Sequence, residues 1–395
     1  MGQSEWLEGI TPMMGATTGS CVVSDQFGPF EGRVWLNSAH QGPLPRAAVD
    51  AAQTAARMKA TPHRIRDEAF TEVPERLRRL LADLVGADPE EIVLGNSTSH
   101  GLHLVANGLA WRPDDEVLII EGDYPATVLP WLRLADQGVR ARWLHPQGCV
   151  LTASELAAAI TPRTRVLAMT WVNSFTGHTA DLDALGQVCR AAGVLCVVNA
   201  SQGIGARPLN VASTPVDAVV SCGYKWLCGP YGTGFTWLHP DLLHQLRPQQ
   251  AYWLAMQAGG ALDRMRETTL CDDLGVRAFD VFCPANFLDV LPWTAAVELI
   301  LQTGVEAIAA HDQRLVDQLL AGLDPDRYRA ISPAGGTSRS TLVVLDRIDG
   351  TAKQRHDQLN AAGVDTSLRE DNLRLCPHLF NTADDIQRAL ESLHP

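Results

Sequence analysis

Between residues 90 and 240, short runs rich in β-branched and apolar residues alternate with stretches in which apolar positions recur every three or four residues. EEIVLG (90–95), DEVLII (115–120), RARWL (140–144), TRVLAMTWV (164–172), GVLCVVN (193–199), DAVVSC (217–222) and GTGFTWL (232–238) read as strands. HGLHLVANGLA (100–110), TASELAAAI (152–160) and DLDALGQVCRAAG (181–193) read as the helices between them. This alternation predicts an α/β fold whose mainly parallel sheet is covered by helices on both faces. Ligands then belong at the carboxyl ends of the strands.

A long helical pattern over 285–323, expected to break near Pro292 and Gly304, leads to a region of different rhythm. There TLVVL (341–345), a helix near 351–363, NLRLC (372–376) and a last helix over 382–393 predict a small C-terminal α+β domain. The division expected is an N-terminal segment 1–45, a large domain 46–285, and a linking helix with the small domain over 286–395. No internal repeat, low-complexity tract or long flexible linker interrupts the chain.

Composition narrows the functional classes. With 46% apolar and 19% charged residues in 395, the chain suits a folded enzyme better than a disordered or fibrous protein. A formal net charge of -13 argues against a general nucleic-acid or membrane-surface binder and for a small-molecule substrate. Neither a signal peptide nor a spanning helix is expected, and Trp6 stands where a myristoylation site after Gly2 wants Ser or Thr. Nine scattered cysteines without a CxxC pair read as reduced thiols of a cytoplasmic protein, with no disulfide framework and no metal site.

One stretch asks for chemistry. VVSCGYKWLCGPYGTGF (219–235) holds a single charged residue, Lys225, among apolar neighbours. Desolvating an ammonium costs several kcal/mol, so either the head reaches water from the strand end or chemistry removes its charge. Other strand ends carry polar groups as well: Asn96, Ser97, Thr98 and Ser99; Tyr124; Asn173 and Ser174; Asn199, Ser201 and Gln202. Each alone reads as a turn or a helix cap; together they place an aromatic ring, amides, hydroxyls and a lysine at one sheet edge. The hydroxyls before the helix at 100–110 form a ready phosphate cradle, whereas GPYGTG (229–234) is neither a P-loop nor a dinucleotide fingerprint.

In the order and spacing of VWLNSAHQGPLP, NSTS, DYP, NSFTG, ASQG, GYKWLCGPYGTG and LRLCPHLFNTADDI, the chain resembles the class V aminotransferase and cysteine-desulfurase family of fold-type I pyridoxal-phosphate enzymes. That family also includes isopenicillin N epimerase-like proteins and kynureninase-like lyases, and the resemblance covers roughly nine tenths of the chain. It implies that Lys225 binds pyridoxal 5′-phosphate covalently, an apolar pocket favouring the free amine. It further implies that Thr98 and Ser99 hold the phosphate with help from Ser97 and Cys222, that Tyr124 stacks on the ring, and that Gln202 bonds its phenolic oxygen. Arg374 matches the arginine that grips the substrate carboxylate; Asn173 or Ser174 assists, the register being ambiguous by one residue. His40 lies in a loop that closes over the substrate, where it contacts a side chain or caps a turn. The N-terminal segment would pack near the small domain and the active site, and the resemblance implies a homodimer with shared active sites.

Departures shape the activity expected. No cysteine lies between Cys283 and Arg374, where desulfurases of the family carry their nucleophile, and Cys376 is expected to pack in its strand. Cys283 itself stands where relatives put a threonine that reaches the partner's phosphate. Asn199 replaces an aspartate that keeps the pyridine nitrogen protonated, an ion pair worth roughly 4 kcal/mol at about 4 Å and an effective dielectric of about 20. Asparagine supplies no charge, which implies a weaker electron sink, unless the substitution is neutral and another group sets the protonation. The expected activity is β-elimination of a thiol from an S-conjugated cysteine, as in enzymes of secondary metabolism such as those of lincosamide antibiotic pathways. The alternatives are decarboxylation with oxidative deamination to an aldehyde, and an aminotransferase or epimerase.

Overall fold

The computed structural model of the chain describes residues 23–253, 270, 271, 274–348 and 350–394; Gly2, Trp6 and the rest of residues 1–22 lie outside them. In chain order come β1 (Val34–Trp35), α1 (Arg46–Ala60), α2 (Ala69–Val85), β2 (Ile92–Gly95), α3 (Thr98–Gly108), β3 (Glu116–Ile120), α4 (Pro125–Leu132) and β4 (Arg140–Leu144). They are followed by α5 (Ala153–Ala159), β5 (Thr164–Thr170), α6 (Leu182–Ala192), β6 (Leu195–Asn199), β7 (Ala218–Cys222), β8 (Gly234–Leu238) and α7 (Pro240–Leu243). The C-terminal part holds α8 (Phe287–Thr303), α9 (Val305–Ala321), β9 (Tyr328–Ala330), β10 (Val343–Arg347), α10 (Ala352–Ala361), β11 (Val364–Asp365), β12 (Ser367–Arg369), β13 (Asn372–Leu375) and α11 (Ala383–Leu393).

Seven strands form the large sheet in the order β2-β8-β7-β6-β5-β3-β4. All run parallel except β8, which is antiparallel to both neighbours. The cause is the connection: residues 223–233 contain no crossover helix, and a parallel return needs one. Successive residues of β3 feed opposite cores, Leu118 with α2 and α6 on one face, Val117 and Ile119 with α3 and α4 on the other. Both faces are therefore covered, which is why the central strands read as apolar runs rather than alternations.

A separate four-stranded antiparallel sheet, β12-β13-β10-β9, packs Val343, Leu345, Leu373 and Leu375 against α9, α10 and α11. The N-terminal segment joins it, β1 pairing in parallel with β11 and Asn37 bridging to Cys376. At Gly42 the segment passes the lysine strap, its N–H donating to the Tyr224 carbonyl at 2.9 Å. A Cβ there would lie 2.0 Å from the Lys225 carbonyl oxygen, so only glycine fits. The helix break expected near Pro292 does not occur. Pro292, the sixth residue of α8, forgoes one intrahelical bond to the Leu288 carbonyl without ending the helix, and the chain turns only at Gly304, whose φ is 84°.

The edge strand that leads to the site is locked by charge. Arg78 of α2, 1% exposed, pairs with Asp280 at 2.6 Å and also donates to the Ile92 carbonyl. Asp280 in turn accepts from the Leu94 N–H at 2.8 Å. Removing one member of such a buried pair costs about 3–5 kcal/mol, because the other charge is left without compensation.

Candidate active site

The carboxyl ends of β2, β3, β5, β6 and β7 converge on a cavity of ≈ 290 Å³. Its wall brings together Asn96, Ser97, Thr98, Ser99, Tyr124, Ser174, Asn199, Ser201, Gln202 and Lys225, all singled out in the sequence, with Thr170, Tyr224 and Tyr231 added by the fold.

At one end Ser97 caps α3, its Oγ accepting from the His100 N–H at 3.1 Å. Thr98 and Ser201 hydroxyls meet at 2.6 Å. Gly234 of β8 packs directly beneath this turn: a Cβ there would lie 2.8 Å from the Ser97 backbone. The remaining N–H groups of the first turn and the Ser99 hydroxyl make a site suited to an anion such as a phosphate, the Ser97 hydroxyl here donating to Asn96 Oδ1 at 2.9 Å.

Lys225 follows the central strand β7 and is 9% exposed. No carboxylate pairs with it among the described residues; its Nζ lies 5.5 Å from the Tyr124 ring centre and 5.8 Å from that of Tyr224. Burial lowers its pKa; the Cys222 thiol opposes this, and the guanidinium groups of Arg374 and Arg369 reinforce it. Burial thus shifts the balance toward the neutral amine. The Tyr124 ring stacks on Phe175 at 6.2 Å, at the mouth of the cavity.

Asn199 ends β6 with a fixed amide: Oδ1 accepts from the Ser201 N–H at 3.1 Å and Nδ2 donates to Thr127 Oγ1 at 2.9 Å. Gln202 lines the cavity with its polar atoms engaged. Its Oε1 accepts from Trp226 Nε1 at 2.8 Å, and its Nε2 donates to the Ala39 carbonyl at 3.0 Å and to Ser174 Oγ at 3.4 Å. The last contact is long enough to be exchanged for a bound oxygen.

Arg374, 2% exposed on β13, donates from Nε to Ser367 Oγ at 3.2 Å and from Nη1 to the Ser174 carbonyl at 3.1 Å. It has no carboxylate partner among the described residues, and burial lowers its pKa. A buried, carboxylate-free guanidinium beside the cavity wall is prepared for an incoming carboxylate. Arg369, which the sequence reading missed, lies on the same face of the β12–β13 hairpin, because Ser367 stands directly opposite Arg374 and side chains repeat every second residue. Only its position in the folded hairpin distinguishes it from a surface arginine. His40 is exposed at the rim; burial and then the charges of Arg369, Arg374 and Lys225 lower its pKa, so its imidazole is neutral near pH 7.

Two residues stand elsewhere than expected. The Asn173 side chain is consumed in a turn, its Oδ1 accepting from the N–H groups of Phe175 at 2.9 Å and Thr176 at 3.0 Å, and Ser174 faces the cavity instead. Cys222 is 2% exposed and outside the cavity wall, its thiol set beside the Tyr224 hydroxyl rather than toward the α3 terminus. Cys376 is fully buried in its strand region, whereas Cys283 is exposed with a φ of 56°.

These residues fit the cofactor that the resemblance implies. An anion cradle, an aromatic face, a fixed amide and a lysine amine share one cavity, and the close approach at Gly234 leaves the cradle's backbone donors clear.

The family model Aminotransferase class-V matches residues 34–366. An isopenicillin N epimerase of Amycolatopsis lactamdurans is 30% identical over 393 residues, covering 91% of this chain and 94% of that protein. A probable cysteine desulfurase of Methanothermobacter thermautotrophicus is 25% identical over 336 residues, 81% of this chain and 82% of its own. Among solved structures, a variant of C-DES with glycine covalently linked to its PLP cofactor has a TM-score of 0.85 at 22% identity, covering 93% of this chain and 98% of that one.

Proposed function

The chain belongs to the class-V aminotransferase family, whose cofactor is pyridoxal phosphate, and from that premise we propose that it is a lyase releasing a thiol from the β-carbon of an S-conjugated cysteine. When bound, the cofactor withdraws electron density from the substrate's Cα, so that a bond there breaks heterolytically.

The chain's own groups divide the remaining work. Ser97, Thr98 and Ser99 at the α3 terminus hold the phosphate, and Tyr124 covers one face of the ring. The Lys225 amine, whose neutral form burial favours, would carry the cofactor and, once the substrate's amino group had replaced it, would take the Cα proton. Arg374 holds the substrate carboxylate from the opposite wall, with Ser174 ordered beside it. His40 at the rim stands among the positive charges of Arg369, Arg374 and Lys225, and the proton for the departing thiolate comes from the Lys225 ammonium formed when it takes the Cα proton.

The observation that carries this reading is where the sulfur is absent. Among the described residues, Cys222, Cys228 and Cys376 are each no more than 2% exposed and none lines the cavity. A cysteine that attacks the substrate's sulfur, as desulfurization requires, has no place in the wall among the described residues, so the substrate's sulfur would leave as a free thiol rather than as a protein-bound persulfide. Asn199, which brings no charge to the floor of the cavity, suits a good leaving group on Cβ.

The balanced reaction is conjugate plus water giving thiol, pyruvate and ammonia. Incubation with an S-alkyl cysteine should yield thiol and pyruvate in equal amounts. Carbon dioxide with an aldehyde and peroxide would replace this reading by oxidative decarboxylation. An epimerised amino acid would replace it by the activity after which the 30%-identical relative is named.

The setting we assign is a homodimer in the cytoplasm, acting on thiol conjugates of secondary metabolism. Every described cysteine is unpaired, which suits a reducing compartment, and no described helix is long and apolar enough to cross a membrane.

A further inference from the structure

Four side chains, Asp123 from the loop between β3 and α4 and one each from α4, β5 and β6, form a single line of hydrogen bonds behind the cavity floor. Asn199 Nδ2 donates to Thr127 Oγ1 at 2.9 Å, Thr127 and Thr170 hydroxyls meet at 2.9 Å, and the Thr170 hydroxyl donates to Asp123 Oδ1. Thr127, Thr170 and Asn199 are 0%, 7% and 3% exposed, so water does not compete for these groups.

With Asp123 ionised, counting protons gives the direction of every bond; burial raises its pKa, and the hydrogen bonds it accepts from Thr170 and Tyr124 lower it. Asp123 receives the backbone N–H of Tyr124 on Oδ1 at 2.6 Å and that of Thr170 on Oδ2 at 2.8 Å, and backbone N–H groups only donate. An ionised carboxylate only accepts, so the single Thr170 proton is spent on it. Thr127 must then donate to Thr170, and its oxygen is left to accept from the amide. At the other end the Ser201 N–H fixes Asn199 Oδ1, so the amide cannot be flipped without losing both contacts.

We propose that Asp123 is a positioning residue: through Thr170 and Thr127 it locks the Asn199 amide in one orientation at the cavity floor, returning by relay some of the order that a carboxylate at position 199 would impose directly. Each bond points its positive end toward Asp123. Polarisation along such a chain strengthens each member, which makes the amide oxygen, held by the Ser201 N–H, the more electron-rich end. The inference rests on the cofactor assignment and not on which reaction is catalysed.

The test measures binding of pyridoxal 5′-phosphate to the apoprotein by equilibrium dialysis, with thermal unfolding run alongside. Wild-type protein that binds none would refute the cofactor assignment itself, a result distinct from those that follow. Asp123→Asn and Thr127→Val should each weaken binding about tenfold, the factor for one charge-assisted hydrogen bond. Thr127→Ser, which keeps the hydroxyl, should stay within about twofold of wild type. On an Asn199→Ala background neither Asp123→Asn nor Thr127→Val should weaken binding further, because the group they act through is gone. Should Asp123→Asn fail to fold, the Thr127 pair decides alone. Equal losses with and without Asn199, or Thr127→Val binding as tightly as Thr127→Ser, would overturn the proposal.

Discussion

Lys225 and Asn199 carry the chemistry at the scale of single residues, and each can be changed without emptying the core. Lys225→Ala should abolish turnover and the visible absorbance of the bound cofactor while leaving the unfolding midpoint nearly unchanged, since its buried amine has no ion pair to lose. Borohydride reduction followed by peptide mapping should label Lys225, and a label on Lys59 or Lys353 would refute the assignment. Asn199→Asp is a harsher change than its size suggests. The introduced carboxylate, once ionised, would take the Thr127 proton while Asp123 keeps that of Thr170, so the Thr127–Thr170 link would be left without a hydrogen. A loss of about 1 kcal/mol in stability is expected from that link. The charge should also strengthen the electron sink, and pyridoxamine phosphate should then rise against elimination product on one substrate. An unchanged partition ratio with the cofactor fully bound would remove Asn199 from the choice of outcome.

Elements are tied to the lysine strap by a second buried relay. Asp312 of α9 bonds His378 Nδ1 at 2.9 Å, and His378 Nε2 meets the Trp226 carbonyl, next in chain to Lys225, at 2.9 Å. A carbonyl only accepts, so Nε2 carries a hydrogen and the Asp312 contact holds a second proton between carboxylate and ring. Burial alone would lower the histidine's pKa, but Asp312 and then the Cys228 thiol raise it to about 10. The sign follows from linkage. The folded value exceeds the unfolded one, so the pair's contribution is full below about pH 6.5 and is lost as pH rises toward about 10. Denaturant titrations between those limits should show wild type losing stability that Asp312→Asn does not lose. Asp312→Ala at neutral pH should cost about 3–5 kcal/mol by leaving His378 buried without its partner. A pH-independent difference between wild type and Asp312→Asn would count against the shared proton.

For the molecule as a whole, the exposed apolar surface points to a second copy. Tyr231 is 73% exposed at the cavity rim, with Phe282 at 54% and Leu288 at 50% also facing out. Exposed apolar side chains of this size suit the homodimer proposed above. Sedimentation at micromolar concentration should give about twice the chain mass, symmetric dimers being the commonest assembly. Phe282→Asp should shift it toward the single-chain mass and weaken cofactor binding. A fully active protein of single-chain mass would refute the shared site.

The sequence by itself determined the strand–helix alternation, the sheet edge that bears the polar cluster, and Lys225 as the candidate reactive group. These are local properties: periodicity follows from backbone geometry, and a lone lysine in an apolar run is conspicuous in one dimension. It also separated the small C-terminal domain by its change of rhythm, though β9 and β12, three residues each, were too short to show a period. Tertiary structure decided the rest. Whether Asn173 or Ser174 faces the cavity depended on one turn, since neighbouring side chains point apart and a single hydrogen-bonded loop selects between them. Arg369 joined Arg374 only through hairpin register. Asp123, Thr127, Thr170 and Asn199 lie up to 76 positions apart along the chain, and no local pattern links them. Their relay exists because β3, β5 and β6 are adjacent in the sheet and α4 packs against them, a consequence of long-range pairing that composition and periodicity do not encode.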